Sequence, residues 1–447
     1  MRIIGGMNTT SASPPLARFR AELYQTVLGL RRDALFELLD AVLTSERAES
    51  LVRYSLAPCF RRGWASVCDA LSDGSLDLPA LRRLFAATMP EAVVEGRLLW
   101  VLDGTIWPRP AAKTSPARTW GRWTGSGLPE SGIVGSWEYQ WLVSVPEPSG
   151  SWVLPLEVGR RDLAAGTATT LAIRQLRAAQ AVRAAAAPRP LLVLDSHYDV
   201  GELVAADLGV DILARLAANR RFYRPPGPYG GRGPYPKHGP LFQCAKPTTH
   251  GTPDRTQIDV DAHYGRVTIE VWERLHTQAA PTIELTVLRI TLERLPRRDT
   301  APKPLWLVWH GGELPPDLRT LWHWYQRRFA VEHAFRFLKQ DLGWTTPRPR
   351  APEAADRWSW LLAAALWQLW LGRTLVADAR LPWEHPAAPA TLSPGRVRRG
   401  LAGLLPSLGT PAHQPQPRGK SPGRQVGQCP GPAPRHPVQR RAPPKAA

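Results

Sequence analysis

The sequence has few cysteines, a shortage of acidic residues and no long hydrophobic run, and each shortage excludes a class of protein. Its four cysteines have neither metal-ligand nor disulfide spacing, so we expect reduced structural thiols. No run of eighteen apolar residues is present, which argues against a membrane-spanning helix and against a membrane partner. The first fifteen residues show no secretory pattern, so a soluble cytoplasmic protein is expected.

Basic residues outnumber acidic ones by 57 to 38, which gives a formal charge of +19 and an isoelectric point near 10.5. This excess favours a polyanion such as DNA as the partner, although basic tails also occur on ribosomal and membrane-surface proteins. With 447 residues, the chain is long enough for two or three domains with substantial cores.

Helical periodicity dominates the beginning of the chain. Apolar positions recur at helical intervals over residues 16–46, 53–71 and 77–89, so residues 1–92 are predicted to form an all-helical N-terminal domain. This domain either binds DNA ends or packs on the rest of the protein as a helical subdomain.

From Arg97 the periodicity changes to that of strands. The predicted elements of residues 93–220 are strands at 97–103, 137–145 and 152–158, a helix at 167–187 and a strand ending at 195. Three strands, a crossover helix and a parallel strand form the opening of a ribonuclease-H-like fold. Asp103 and Asp195 each end an apolar strand, where side chains reach a crevice. An Asp in this position is also often only a turn former or a helix cap.

Strand patterns continue beyond a basic, Pro- and Gly-rich loop. Strands are predicted at 267–275, 283–295 and 305–309. The 137 residues between Asp195 and Glu332 are too many for a direct connection, so residues 221–312 are predicted to be an inserted β subdomain.

Residues 313–385 are predicted to complete the core, with a buried apolar helix in 354–381. Residues 386–447 are predicted to be a largely disordered basic tail, because Pro, Gly, Gln and Arg dominate there and no acid follows Glu384. Such a tail either holds DNA non-specifically or is merely solvated.

One long helix is predicted from Asp317, at its N-cap, to the stop at Gly343. At 100° per residue, one polar stripe of this helix contains Tyr325, Arg328, Glu332 and Lys339. The adjacent apolar stripe, which should be buried, contains Trp324, Val331, Phe335, Leu338 and Leu342. A solvated helix face would give a similar polar stripe.

The spacing of these four polar residues resembles the Y-x2-R-x3-E-x6-K signature of a large group of bacterial insertion-sequence DDE transposases. With Asp103 and Asp195 upstream, Glu332 completes the Asp, Asp, Glu order that this resemblance requires. The resemblance covers residues 97–343. It implies an α/β protein with a ribonuclease-H-like mixed sheet and an inserted β subdomain, preceded by the helical domain, which would recognise a transposon end.

The resemblance also implies the chemistry. Three converging carboxylates repel one another and select hard cations, so Asp103, Asp195 and Glu332 are expected to hold two Mg²⁺ or Mn²⁺ ions. The expected reaction is in-line displacement at a phosphodiester, giving DNA cleavage and strand transfer. Arg328 and Lys339 would hold phosphates, and Tyr325 would donate to a phosphate oxygen.

The implied partner is double-stranded DNA, both the terminal inverted repeats of a transposon and its target. A homodimer is expected on DNA because two ends must be paired, and a nucleoid association follows in a bacterium. Two rival classes share these features. One is a catalytically inactive DNA-binding protein derived from a transposase, and the other is a nuclease that cuts without joining.

Further DNA contacts are predicted outside the signature. The loop after Asp103 interleaves Arg118 and Arg122 with tryptophans, although an ordinary packed loop would look the same. Trp306 either stacks on a flipped base, as a tryptophan does in some relatives, or lies in the core. The residues after Asp195 are Ser-His-Tyr, where many relatives have a basic residue, and this departure leaves hairpin chemistry open.

Overall fold

The computed structural model describes residues 14–46, 50–91, 94–123, 132–231, 233–296, 301–417, 423, 425–429 and 431–440. These residues form two compact units. One, the helical unit, comprises Met1–Met89, Leu338–Pro349 and Glu353–Gly431; the other, the sheet unit, comprises Pro90–Phe337, Arg350–Pro352 and Pro432–Ala447. None of the helices found in these ranges has the length and apolar character needed to cross a membrane.

The elements follow one another in the order helices, sheet, helices. The helices are α1 (Pro15–Glu22), α2 (Arg32–Thr44), α3 (Leu51–Tyr54), α4 (Ala65–Asp73), α5 (Leu78–Thr88), α6 (Ala168–Ala181), α7 (Val200–Ala205), α8 (Arg319–Arg327), α9 (Phe329–Gln340), α10 (Pro352–Gly372) and α11 (Pro394–Leu408). The strands are β1 (Leu99–Pro108), β2 (Thr119–Arg122), β3 (Ile133–Val145), β4 (Leu154–Arg160), β5 (Leu191–Leu194), β6 (Asp211–Leu216), β7 (Arg221–Tyr223), β8 (Leu241–Gln243), β9 (Arg255–Asp261), β10 (Gly265–Leu275), β11 (Leu285–Leu292) and β12 (Leu305–His310).

The helical unit combines helices from the N-terminal and the C-terminal parts of the chain. Its buried centre contains an ion pair between Arg20 and Asp40 at 2.6 Å, and Arg20 also donates to the amide oxygen of Gln368 on α10 at 2.7 Å. α10 is buried along almost its whole length, which confirms the predicted apolar helix. The N-terminal helices therefore share a core with C-terminal ones, whereas the predicted division had them as a domain of their own.

The prediction for the C-terminal tail needs correction. Residues 394–408 form α11, whose Val397 and Leu401 are fully buried in the helical unit, and Arg398 donates to the carbonyl of Val42 at 3.2 Å. The Pro and Gly content of this segment conceals a helix whose apolar residues are spaced for one buried face. The prediction of disorder at residues 418–422, 424, 430 and 441–447 lies outside the described residues.

The sheet unit contains one ten-stranded sheet, in the order β2-β3-β1-β5-β6-β12-β11-β10-β9, with β4 paired to β3. β1 runs antiparallel to β3 and parallel to β5, and α6 forms the crossover between β4 and β5. α6 begins with a capping box between Thr167 and Thr170. The predicted opening of a ribonuclease-H-like fold is confirmed, and the chain has a mixed α/β architecture preceded by helices.

The strands of the predicted β subdomain do not form a separate sheet. β12 pairs antiparallel with β6, so β9 to β12 continue the core sheet. Within the described part of the chain, only β7 and β8 form a separate sheet. The sequence pattern identified β10, β11 and β12 but missed β7, β8 and β9. It also carries no information about which neighbour each strand pairs with.

The long helix predicted at 317–343 is in fact two helices, α8 and α9, which meet at Arg328. Asp317 is not the N-cap as predicted: Leu318 holds that position, and Oδ1 of Asp317 accepts the backbone N–H of Arg319 at 2.9 Å in the turn just before α8. Gly343, with φ 61°, terminates the end as predicted, and the backbone N–H of Trp344 donates to the carbonyl of Leu338. The predicted apolar stripe is buried at all five positions.

Candidate active site

Two aspartates lie side by side on adjacent parallel strands. In the β1–β5 ladder Leu102 is the register partner of Leu194, so Asp103 and Asp195 follow at the same level, about one strand spacing of 4.8 Å apart along the sheet. Asp195 directly follows β5, at the strand end where it was predicted. Asp103, however, does not end β1, which continues to Pro108 because β3 pairs with it over its whole length.

Glu332 lies on α9, and the side chain of Arg328 connects it to Asp103 on β1. Arg328 donates from Nη1 to Oδ2 of Asp103 at 2.8 Å and from Nη2 to Oε1 of Glu332 at 2.9 Å. The side chain of Arg328 is only 6% exposed, against 18% for Asp103 and 50% for Glu332. The break between α8 and α9 falls at Arg328, and its guanidinium spans the two carboxylates.

The two aspartates differ strongly in their electrostatic surroundings. Burial raises the pKa of Asp103 to about 6, against the lowering effects of Arg328 and of a hydrogen bond from the Gly104 backbone; the charges of Asp195 and Glu332 raise it further. A hydrogen bond from His197 holds the pKa of Asp195 well below its usual range, helped by the Ser196 backbone N–H and nearby arginines. Asp195 is therefore ionised at neutral pH, whereas the pKa of Asp103 lies only slightly below neutral pH.

Asp103 and Asp195 lie at one level of adjacent strands, and the charges of Asp195 and Glu332 both act on Asp103, so three acids distant in sequence lie near one another. Among the residues that the structure describes, no three His, Cys, Asp or Glu side chains converge tightly enough to coordinate one metal ion. The cation between Asp103 and Glu332 is instead the guanidinium of Arg328. Carboxylate oxygens are hard donors of the kind that Mg²⁺ or Mn²⁺ prefer, so the chemistry of these three side chains is compatible with such an ion.

Two residues beside Asp195 were not predicted as part of the site. Nδ1 of His197 lies 3.5 Å from Oδ2 of Asp195, and Nη1 of Arg215 lies 3.8 Å from its Oδ1. Arg215 was detectable in principle, because it is the one exposed position in the otherwise buried strand β6. His197 was noted only as a departure from the pattern of relatives.

The remaining signature residues are less accessible than a solvated stripe would be. Tyr325 is buried, its ring centroid lies 5.8 Å from Cζ of Arg328, and burial raises its pKa. Lys339 is half-buried with Nζ 5.8 Å above the ring of Trp344, and burial lowers its pKa to about 8. Phosphate contacts by Tyr325, Arg328 and Lys339 remain predictions.

The structure contradicts the predicted DNA contacts of Arg118 and Trp306. Arg118 is 3% exposed, and its guanidinium donates to three backbone carbonyls, those of Arg109, Ser115 and His436. Trp306 is 6% exposed and lies among the rings of Phe242, His250 and Trp272. Sequence could not reveal these placements, because both residues are amphipathic enough to suit either a core or a surface.

Arg122, the other predicted contact of this loop, is exposed at the end of β2. Trp120, beside it, keeps 47% of its surface exposed. A DNA contact at Arg122 is therefore compatible with its position and stays a prediction.

Comparison with known families adds an independent line of argument. Residues 22–277 match the model of the DDE superfamily endonuclease family, and since this is more than half of the chain, the protein belongs to that family. A search of curated proteins found no match. Members of this family act on DNA and generally use divalent metal ions. The match includes Asp103 and Asp195 but ends before Glu332, so the signature around Glu332 is not confirmed by it.

Proposed function

We propose that this chain is a DDE transposase that cleaves DNA at the ends of an insertion sequence and joins those ends to a target. The observation that carries the proposal is the placement of Asp103 and Asp195 side by side on β1 and β5, with Glu332 connected to Asp103 through Arg328. Endonuclease activity is the coarser statement that family membership supports; strand transfer is the finer one that we propose.

In the proposed mechanism, Asp103, Asp195 and Glu332 would hold two divalent ions. When bound, such ions activate a water or a DNA 3′-hydroxyl and stabilise the departing oxygen during in-line displacement at phosphorus. Asp195 would supply a carboxylate that is ionised at neutral pH, because its pKa lies well below the usual range. Asp103 is fully available only above about pH 6, because below that value its buried carboxyl retains a proton.

Arg328 has two successive tasks in this proposal. Without bound metal, its guanidinium offsets the repulsion between Asp103 and Glu332, which at about 5 Å would be roughly 3 kcal/mol at an effective dielectric of 20. Once divalent ions offset that repulsion, the same guanidinium would be free to swing away from the carboxylates and hold a phosphate of the DNA bidentately. The break between α8 and α9 lies at Arg328 and is the natural pivot for that movement.

The test uses purified protein and a plasmid that carries the DNA flanking its own gene, incubated with Mg²⁺, Mn²⁺ or EDTA. We expect metal-dependent cleavage at inverted repeats, and joining of a labelled 3′-hydroxyl end to a second plasmid. Asp103→Asn and Glu332→Gln should abolish both reactions, while Glu313→Gln, at an exposed glutamate of the same unit, should leave them intact.

The alternative classes correspond to different results of this assay. Cleavage without joining would identify a nuclease on the same fold. Binding that weakens with salt, together with no breakage in Mn²⁺, would identify a catalytically inactive DNA-binding protein. Undiminished cleavage by Glu332→Gln would remove that residue from the site. A homodimer on DNA, needed to pair two ends, is part of the proposal and would appear as a doubled mass of the complex in sedimentation.

A further inference from the structure

The last described residues of the chain belong to the sheet unit and form backbone hydrogen bonds along the edge strand β2. β2 is the outermost strand of the sheet, with β3 on one side only. On its open side Gln439 pairs in parallel with Thr119, and the backbone N–H of Gln439 donates to the carbonyl of Arg118 at 2.7 Å. Such pairing is the way in which an extended peptide occupies an exposed sheet edge.

Two further hydrogen bonds hold this C-terminal segment, residues 435–440, on the loop that leads into β2. The backbone N–H of His436 donates to the carbonyl of Lys113 at 2.8 Å, and Nη2 of Arg118 donates to the carbonyl of His436 at 2.7 Å. The burial of Arg118, which removes it from DNA, is thus explained by its use as an anchor for the segment.

Side-chain packing at this position is specific as well. Gly135 on β3 leaves a notch, and a Cβ placed there would come within 2.9 Å of Cγ2 of Val438. Val438 is half-buried, whereas its neighbours Pro437 and Gln439 are exposed. A glycine on the sheet and a β-branched side chain on the segment therefore fit each other.

The surface built in this way is positively charged. The sequence contains no acid between Asp103 and Glu130 and none after Glu384, so neither the loop nor the segment contributes a negative side chain. The one acid of β3, Glu138, is paired with Arg161 at 3.0 Å. The exposed side chains of loop and segment include four bases and one aromatic ring, namely Lys113, Arg122, Arg435, Arg440 and Trp120.

We propose that the C-terminal segment docks on the edge of β2 in order to complete, together with the loop Arg109–Trp123, a surface that binds the phosphates of duplex DNA. Lys113 and Arg122 come from the loop, and Arg435 and Arg440 are supplied by the segment. Four exposed cations without acids match a phosphate backbone, and Trp120 offers an apolar contact beside them. The proposal rests on the proposed function in taking DNA as its ligand.

The experiment measures binding alone, in EDTA, so that failure of cleavage and failure of this surface are distinguishable. A fluorescent 30-base-pair duplex is titrated with the full chain at several KCl concentrations. Each phosphate contact contributes about 0.9 to the slope of log Kd against log salt, so Arg435→Ala/Arg440→Ala should reduce that slope by about 1.8. The matched control, Arg348→Ala/Arg380→Ala, removes two exposed arginines elsewhere and should change the slope by much less.

A size exchange tests whether docking itself matters. Gly135→Ala should displace Val438, remove the hydrogen-exchange protection of the His436 and Gln439 amides, and weaken binding as the double arginine variant does. Val438→Ala in the same chain makes room again and should restore both protection and slope. An unchanged slope in Gly135→Ala despite lost protection would overturn the proposal, as would equal losses in Arg435→Ala/Arg440→Ala and in its control.

Discussion

Replacing Asp103 by asparagine should stabilise the protein while destroying its proposed metal site. Asparagine is nearly isosteric with a protonated aspartate and carries no charge. In the folded protein, burial raises the pKa of Asp103 from the ordinary 3.8 to about 6. The folded state therefore binds this proton more tightly than the unfolded state does, and at pH 7.5 the ionised carboxylate opposes folding.

The magnitude follows from the separation of the two pKa values. At about 1.4 kcal/mol for each pH unit between 3.8 and 6, the charge costs about 3 kcal/mol at pH 7.5. Arg328 keeps its second partner, Glu332, when Asp103 becomes asparagine, so no buried cation is left unpaired. For a unit of this size, about 3 kcal/mol corresponds to a rise in Tm of roughly 5 to 10 °C.

Thermal unfolding of both proteins in EDTA, at pH values from 4 to 8, would measure this difference. Stability of the wild-type chain should rise as the pH falls from 6 towards 3.8, so the advantage of Asp103→Asn should shrink over that range. Added Mg²⁺ should raise the Tm of the wild-type protein more than that of the variant. An asparagine variant no more stable than wild type at pH 7.5, or an advantage that does not depend on pH, would refute the reasoning.

Substitutions at three further positions test the signature helices. Arg328→Ala should lower the free energy of unfolding by about 3 kcal/mol, because Asp103 loses a buried partner. Arg328→Lys should restore only part of that stability, since an ammonium cannot span Asp103 and Glu332. Urea unfolding compares the two variants with the wild type, and equal stabilities of all three would argue against a bridging role of Arg328. Gly343→Ala should cost about 1 kcal/mol and lower the Tm, because φ is 61° there, and an unaltered Tm would mean that the helix end relaxes freely. Burial lowers the pKa of Lys339 to about 8, so the folded state prefers the neutral amine and the stability of the protein should rise with pH between 8 and 10.5. In thermal unfolding scans, Lys339→Met should remove that rise. A rise that persists in the variant would belong to another group.

Much of the first half of the sheet could be predicted from sequence. A short apolar run before Asp195 specifies a buried strand, and the helical crossover that precedes it favours a parallel pairing with β1. The two aspartates had to meet at one crevice for that reason. The end of the signature helix could be predicted as well, since Gly343 is suited to a left-handed backbone conformation.

Other features depended on neighbours that are remote in sequence. Helical periodicity over 317–343 is continuous, so it could not show that the helix breaks at Arg328, whose guanidinium spans two carboxylates. The sequence around Trp306 and Arg118 gives no sign that either residue is buried. Trp306 is buried by the aromatic cluster around it, and Arg118 by its contacts with the C-terminal segment.

The sequence by itself determined the helices α6 and α10 and the strands β1, β3 to β5 and β10 to β12 with their order, because hydrophobic period and turn residues act over a few residues only. The three acids remain its prediction. Tertiary structure alone decided that β9 to β12 extend the core sheet, that α11 joins the N-terminal helices, and that Arg328 takes the position between Asp103 and Glu332. Those outcomes are differences in free energy between alternative pairings of surfaces, and such pairings join residues that lie hundreds of positions apart.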